Sequence, residues 1–247
     1  MSKAKVAAYS AAGCGGCDIA MLEIEAHLLE LIEAADIVFW PTIVDLKYAD
    51  IEAMPDGEID LTLFNGAIRT EENAHVAKLL RAKSKVLVGF GACSSFGGVV
   101  GLGDLYGAEA LMARAFSTES TDPGAAIPRP AAEGAETAGV PAMLPRVLPL
   151  AGVVPVDYTI PGCPPVGERV WEVLTAFVSG ALPPAPAIAG AGDRCVCDEC
   201  TLPKRNTRVA GFRRFHEFVP EPEWCLLEQG VLCMGPATRS GCGAQCT

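Results

Sequence analysis

Residues 13–20 read GCGGCDIA. Two cysteines three apart, in a glycine loop that follows the apolar run at residues 6–9, are poor disulfide partners, because close neighbours bridge only with strain. Metal ligation suits them better, since thiolates at C-x-x-C spacing converge on one ion or one iron–sulfur cluster. Nine more cysteines follow, at 93, 163, 195, 197, 200, 225, 233, 242 and 246, and seven of the eleven fall within residues 195–247. An odd total fits a disulfide framework badly. The chain therefore carries two groups of thiols, four scattered ones and a dense tail.

The elements that must position the scattered four can be read from periodicity. Residues 4–10, 36–45, 59–68, 85–91 and 153–165 are apolar or β-branched and read as strands. Residues 17–35 place Ile19, Leu22, Ala26, Leu29 and Ile32 at helical spacing. Residues 70–84 open with a Thr cap and early acids, and residues 167–180 form a further helix. Strands alternating with helices imply right-handed βαβ units and a doubly wound parallel sheet. Residues 117–142 read as a long irregular excursion, and residues 181–192 as a Pro- and Ala-rich linker. The expected domains are 1–182, α/β, and 193–247, small and cysteine-rich.

In an open parallel sheet the ligand crevice lies outside the carboxyl ends of the strands. Cys14, Cys93 and Cys163 each follow an expected strand, and Cys17 opens the next helix. Four thiols from three loops can thus meet on one edge, each beside glycines that let backbone approach a bulky guest. Taken singly, Cys93 or Cys163 reads as an ordinary core thiol; the four together read as a cluster site. GFGACS at 89–94 imitates a dinucleotide fingerprint, but its third glycine is Ser94 and no acidic strand end follows at the required distance. In the tail, Cys197 and Cys200 form C-x-x-C, and the later cysteines are spaced by eight, nine and four. That spacing leaves both an iron–sulfur site and a structural zinc open.

Bulk properties narrow the partners. The net charge is −11, from 19 Lys and Arg against 30 Asp and Glu, which argues against nucleic acid. No apolar run reaches the roughly 20 residues of a membrane helix. The N-terminus has no apolar signal core or twin arginine, and the Cys14 loop begins too early for a cleaved leader, so a cytoplasmic location is expected.

GCGGCDIA, GFGACSSFGG, PGCPP, the C-D-E-C at 197–200 and CLLEQGVLCMGPATRSGCGAQC together resemble the small, electron-transferring subunit of a nickel–iron hydrogenase. The likeness is to the cytoplasmic methyl-viologen-reducing type that works with heterodisulfide reductase. It covers essentially the whole chain; PGCPP is shared with the 20 kDa subunit of respiratory complex I, which lacks such a tail. The resemblance implies a flavodoxin-like domain followed by a small cluster domain. It implies a proximal 4Fe–4S cluster on Cys14, Cys17, Cys93 and Cys163, and a distal one on Cys197, Cys200, Cys225 and Cys233. A medial cluster would use Cys242 and Cys246. The family continues with a Pro-Cys-x-x-Cys that completes the medial site, whereas this sequence stops at Thr247, so further C-terminal residues are expected. Cys195 has no family role. The implied partners are a large subunit carrying nickel and iron, a small iron–sulfur adaptor and heterodisulfide reductase. The chain itself would be a non-catalytic subunit of an oxidoreductase. Two alternatives remain: a sulfhydrogenase-type small subunit serving a nicotinamide-reducing flavoprotein, and a zinc-stabilised interaction module.

Overall fold

The computed structural model describes residues 3–122, 124, 126–130 and 139–245. It divides into two compact units, Met1–Ala189 and Gly190–Thr247. Among the described residues no helix is long and apolar enough to cross a membrane.

The first unit is built on a six-stranded sheet. Its strands are β1 (Ala4–Ser10), β2 (Ala35–Phe39), β3 (Ile59–Asn65), β5 (Ser84–Phe90), β7 (Tyr158–Ile160) and β8 (Ala187–Ile188), and β4 (Ile68–Thr70) and β6 (Met143–Leu148) form a small antiparallel pair beside it. The order across the large sheet is β2-β1-β3-β5-β7-β8, and every pairing is parallel. This is the doubly wound, flavodoxin-like arrangement, with the order reversing between β1 and β3.

Alternation along the strands explains the two covering layers. On one face Val6, Ala8, Leu61, Leu63, Val88 and Phe90 pack against Met21, Ile24 and Leu31 of the α1 (Gly16–Leu22) and α2 (His27–Ala34) segment, and against Val170, Val173 and Leu174 of α7 (Gly167–Val178). On the other, Ala7, Tyr9, Ile59, Phe64 and Leu87 pack against Ile51 of α3 (Tyr48–Ala53) and Val76, Ala77 and Leu80 of α4 (Glu71–Lys83). The short helix α5 (Gly91–Phe96) follows β5 directly. The Thr70 hydroxyl accepts from Asn73 N–H, as the cap signal implied.

Three expectations are corrected. The helix expected over 17–35 is two helices, α1 and α2, with Glu25 in the left-handed region between them (φ 54°). Its expected apolar stripe, Ile19, Leu22, Ala26, Leu29 and Ile32, faces out, and the inward apolar side chains include Ala20, Met21, Ile24 and Leu31. The expected linker at 181–192 contains β8, where Ala187 and, just beyond the strand, Ala189 donate N–H groups to the Asp157 and Thr159 carbonyls on the β7 side. The excursion expected at 117–142 stands: α6 (Gly107–Phe116) ends just before it, its described residues carry no helix or strand, and residues 123, 125 and 131–138 lie outside the described set.

Candidate functional site

At the carboxyl edge of the sheet, loops after four strands surround one small cavity. Cys14 and Cys17 come from the loop and helix after β1, Cys93 from α5 after β5, and Cys163 from the loop after β7. Asn65 and Gly66, at the end of β3, complete the lining. The cavity thus sits at the point where the strand order reverses, which is where open α/β sheets bind their ligands. Cys93 is buried, Cys17 half-buried, and Cys14 and Cys163 exposed at the mouth.

Small residues make room for the sulfurs. A Cβ placed on Gly91 would stand 2.4 Å from Cys17 Sγ, and one on Gly98 2.8 Å from Cys93 Sγ. Burial, followed by the neighbouring Cys93, Cys14, Asp18 and Cys163, pushes the Cys17 thiol up to about 12. Four thiolates cannot share this edge without a compensating positive charge, which is what a metal centre supplies. Among the described residues no three His, Cys, Asp or Glu side chains converge tightly enough to hold a single ion. Four thiols nonetheless line one cavity, and an all-thiol set of four is the donor chemistry that suits an iron–sulfur cluster.

A polar network that carries no cysteine braces the first loop. The buried Asp18 side chain accepts from Ser10 Oγ at 2.6 Å, Trp40 Nε1 at 2.9 Å and Asn65 Nδ2 at 3.4 Å, and Asn65 Nδ2 also donates to Ser10 Oγ at 2.9 Å. This ties β1, β3 and the residue after β2 together, one position beyond Cys17. None of these roles was read from the sequence, although an acid directly after a C-x-x-C pair was a visible hint. Asp18→Ala leaves the Trp40 indole N–H buried and unpartnered, and we expect it to lower the unfolding free energy by about 3 kcal/mol. Urea denaturation at unchanged m-value is the measurement.

The second unit holds a second small cavity, lined by Cys197, Cys200, Cys225 and Cys233 with Val196, Leu202, Lys204, Leu226, Leu227, Gly235 and Pro236. Gly235 N–H donates to Cys233 Sγ at 3.4 Å, and a Cβ on Gly235 would meet Cys197 Sγ at 3.3 Å. Burial, then Cys195, push the Cys197 thiol upward. Cys195 lies outside the lining, with its Sγ 3.3 Å from Asp198 Oδ2. Cys242 lines neither cavity; its flanking Gly241 and Gly243 N–H groups donate to the two oxygens of Glu199 at 2.7 and 2.9 Å. Cys246, its expected companion, lies outside the described residues. The histidines line neither cavity: His27 stacks on Trp171 at 4.5 Å between ring centroids, His75 faces Glu52, and His216 is exposed.

A family profile described as NADH ubiquinone oxidoreductase, 20 Kd subunit, matches residues 14–177. The iron-sulfur subunit of an F420-non-reducing hydrogenase from Archaeoglobus profundus is 42% identical, over 98% of this chain and 78% of its own length. A vhu subunit of the F420-non-reducing hydrogenase from Methanocaldococcus jannaschii is 39% identical, over 98% and 77%. A solved NAD+-reducing NiFe hydrogenase in the H2-reduced state contains a chain that superposes with TM-score 0.64 at 32% identity, covering 75% of this chain and 96% of that one. The profile covers most of the doubly wound unit and the two archaeal relatives extend the match through the cysteine-rich one, so the chain belongs to the NADH ubiquinone oxidoreductase 20 Kd subunit family, on the branch that provides the small subunits of nickel–iron hydrogenases.

Proposed function

We propose that this chain is the electron-transfer small subunit of a cytoplasmic nickel–iron hydrogenase, with a 4Fe–4S cluster on Cys14, Cys17, Cys93 and Cys163 and another on Cys197, Cys200, Cys225 and Cys233. Cys242 and Cys246 would contribute to a third, medial cluster. When bound, such clusters supply one-electron centres linking hydrogen oxidation on a large subunit to a downstream iron–sulfur or flavin acceptor. By the resemblance of its motifs to the methyl-viologen-reducing type, that acceptor is an iron–sulfur adaptor feeding heterodisulfide reductase. The observation that carries the reading is the grouping of thiols: two sets of four, each around its own cavity.

What the chain's own residues do follows from their placement. Exposed Cys14 and Cys163 sit at the mouth of the first cavity and buried Cys93 at its depth, so the guest is held from both ends. Apolar Val196, Leu202, Leu226 and Leu227 keep water from the second cavity, and backbone N–H groups such as Gly235 are aimed at sulfur. Burial and hydrogen bonds to sulfur are the protein's means of setting a cluster's potential.

Anaerobic purification of the chain with its large subunit, followed by metal and sulfide analysis, tests the reading. We expect at least about eight iron atoms and as many sulfides per chain, with nickel present in the complex. Stoichiometric zinc with no sulfide would sink it and favour a zinc-stabilised interaction module.

A further inference from the structure

The cation-rich run at residues 204–214 has no part in holding thiols beyond Lys204, yet it adjoins them. Residues 190–247 contain seven Lys and Arg and seven Asp and Glu, so the chain's whole excess of negative charge lies in residues 1–189. Within the run, Lys204, Arg205, Arg208, Arg213 and Arg214 occur in eleven residues without an acid. Arg205 pairs with Glu221 at 2.9 Å and lies over Trp224. Among the described residues, Lys204, Arg208, Arg213 and Arg214 make no salt bridge, and all four are exposed.

The run reaches the second cavity at Lys204 and, at Arg213, the stretch of chain that leads to Cys233. Lys204 lines it and donates to the Cys197 carbonyl at 2.8 Å. Arg213 N–H donates to Gly230 O at 2.7 Å and Arg213 pairs with Val231, two residues before Cys233. Around this seam apolar side chains stand in the open: Phe212 and Phe215 are 66% and 64% exposed, and Leu232 and Met234, on either side of Cys233, 68% and 61%. Exposed apolar groups rimmed by charge are the makings of a docking face.

We infer that the face formed by residues 204–215 and 232–234 docks an acidic iron–sulfur electron carrier against the second cavity. The inference rests on the reading that this cavity holds the cluster from which electrons leave. Cations without an acidic partner beside that exit would steer a negatively charged carrier to it. The neighbouring Glu217, Glu221 and Glu223 are exposed as well. They would repel the unbroken negative charge of RNA or an anionic bilayer, whereas a protein can set its own cations against them.

The test uses the complete complex with its large subunit, assayed for hydrogen-dependent reduction of an acidic ferredoxin and, separately, of dicationic methyl viologen. In the unaltered complex the second-order rate constant with ferredoxin should fall as salt is added. Arg208→Glu combined with Arg214→Glu, neither of which lines a cavity, should lower that constant about tenfold at low ionic strength and flatten its salt dependence. The viologen rate should not fall, and Arg208→Lys with Arg214→Lys should keep the ferredoxin rate. A ferredoxin rate that ignores both salt and charge reversal overturns the inference. So does an unaltered ferredoxin rate accompanied by lost binding to phosphatidylserine vesicles, or by lost self-association of the complex; these assign the face to lipid or to a second copy. A complex that holds iron and reduces viologen but fails this way leaves the electron-transfer reading standing. A complex that lacks iron and reduces neither acceptor ends both.

Discussion

Cys93→Ala is expected to remove about four iron atoms per chain, erase one paramagnetic centre and lower hydrogen-dependent dye reduction by at least about 100-fold. The magnitude follows from where the thiol sits. Cys14 and Cys163 are exposed at the mouth of the first cavity, where an added thiol or water could take the place of a lost sulfur. Cys93 is 8% exposed and close-packed by Gly98, so nothing from solvent reaches its position. Altering residues that merely orient a ligand costs 10–100-fold in many metal sites, and loss of an irreplaceable ligand exceeds that. The exchange of a small thiol for a methyl leaves the sheet packing in place, so circular dichroism should not change. Iron content, paramagnetic resonance and dye reduction on the same preparation decide the matter. Full activity with unchanged iron would remove Cys93, and with it the first cluster, from the proposal.

Such a result would bear on why this site could be read before the fold was seen. Cysteine is chemically conspicuous, and Cys14 and Cys93 follow strands whose apolar runs are unmistakable, whereas of the strand expected over 153–165 before Cys163 only Tyr158–Ile160 forms. β1, β3 and β5 are central and buried on both faces, and such strands announce themselves as continuous hydrophobic stretches. Local signals also sufficed for α4, with its Thr70 cap, and for α7, whose Val170, Val173 and Leu174 keep one face inward. The failures share a cause of another kind. Residues 17–35 offer two apolar stripes, and spacing alone cannot say which one meets the sheet; Met21, Ile24 and Leu31 do. Strand β8 is two residues in an Ala- and Pro-rich stretch, and it exists because β7 presents a free edge far away in sequence. Asn65, Gly66 and Asp18 joined the site through the reversal of strand order between β1 and β3, a property of the assembled sheet that no local pattern encodes.

A pair of glycine substitutions separates the demands of the guest from those of the fold. Gly15 and Gly91 have nearly the same φ, 81° and 86°, in the region that side chains resist. Alanine at either should cost the cluster-free protein about 1–2 kcal/mol. Their surroundings differ: a Cβ on Gly15 meets nothing within 4 Å, whereas one on Gly91 stands 2.4 Å from Cys17 Sγ. In the cluster-free state that sulfur is the end of a short side chain and can rotate away. Once iron holds the sulfur toward the cavity, it cannot. Gly91→Ala should therefore match Gly15→Ala in urea denaturation of the apoprotein, yet fail to regain iron–sulfur absorbance at the first site when reconstituted with iron and sulfide. Gly98→Ala should behave differently again, because its Cβ would meet Cys93 backbone N and Cα at 2.9 Å, so folding itself is penalised. If Gly91→Ala takes up as much iron as Gly15→Ala, Cys17 does not present its sulfur to iron from the position it occupies here. The first cavity would then need a different set of ligands.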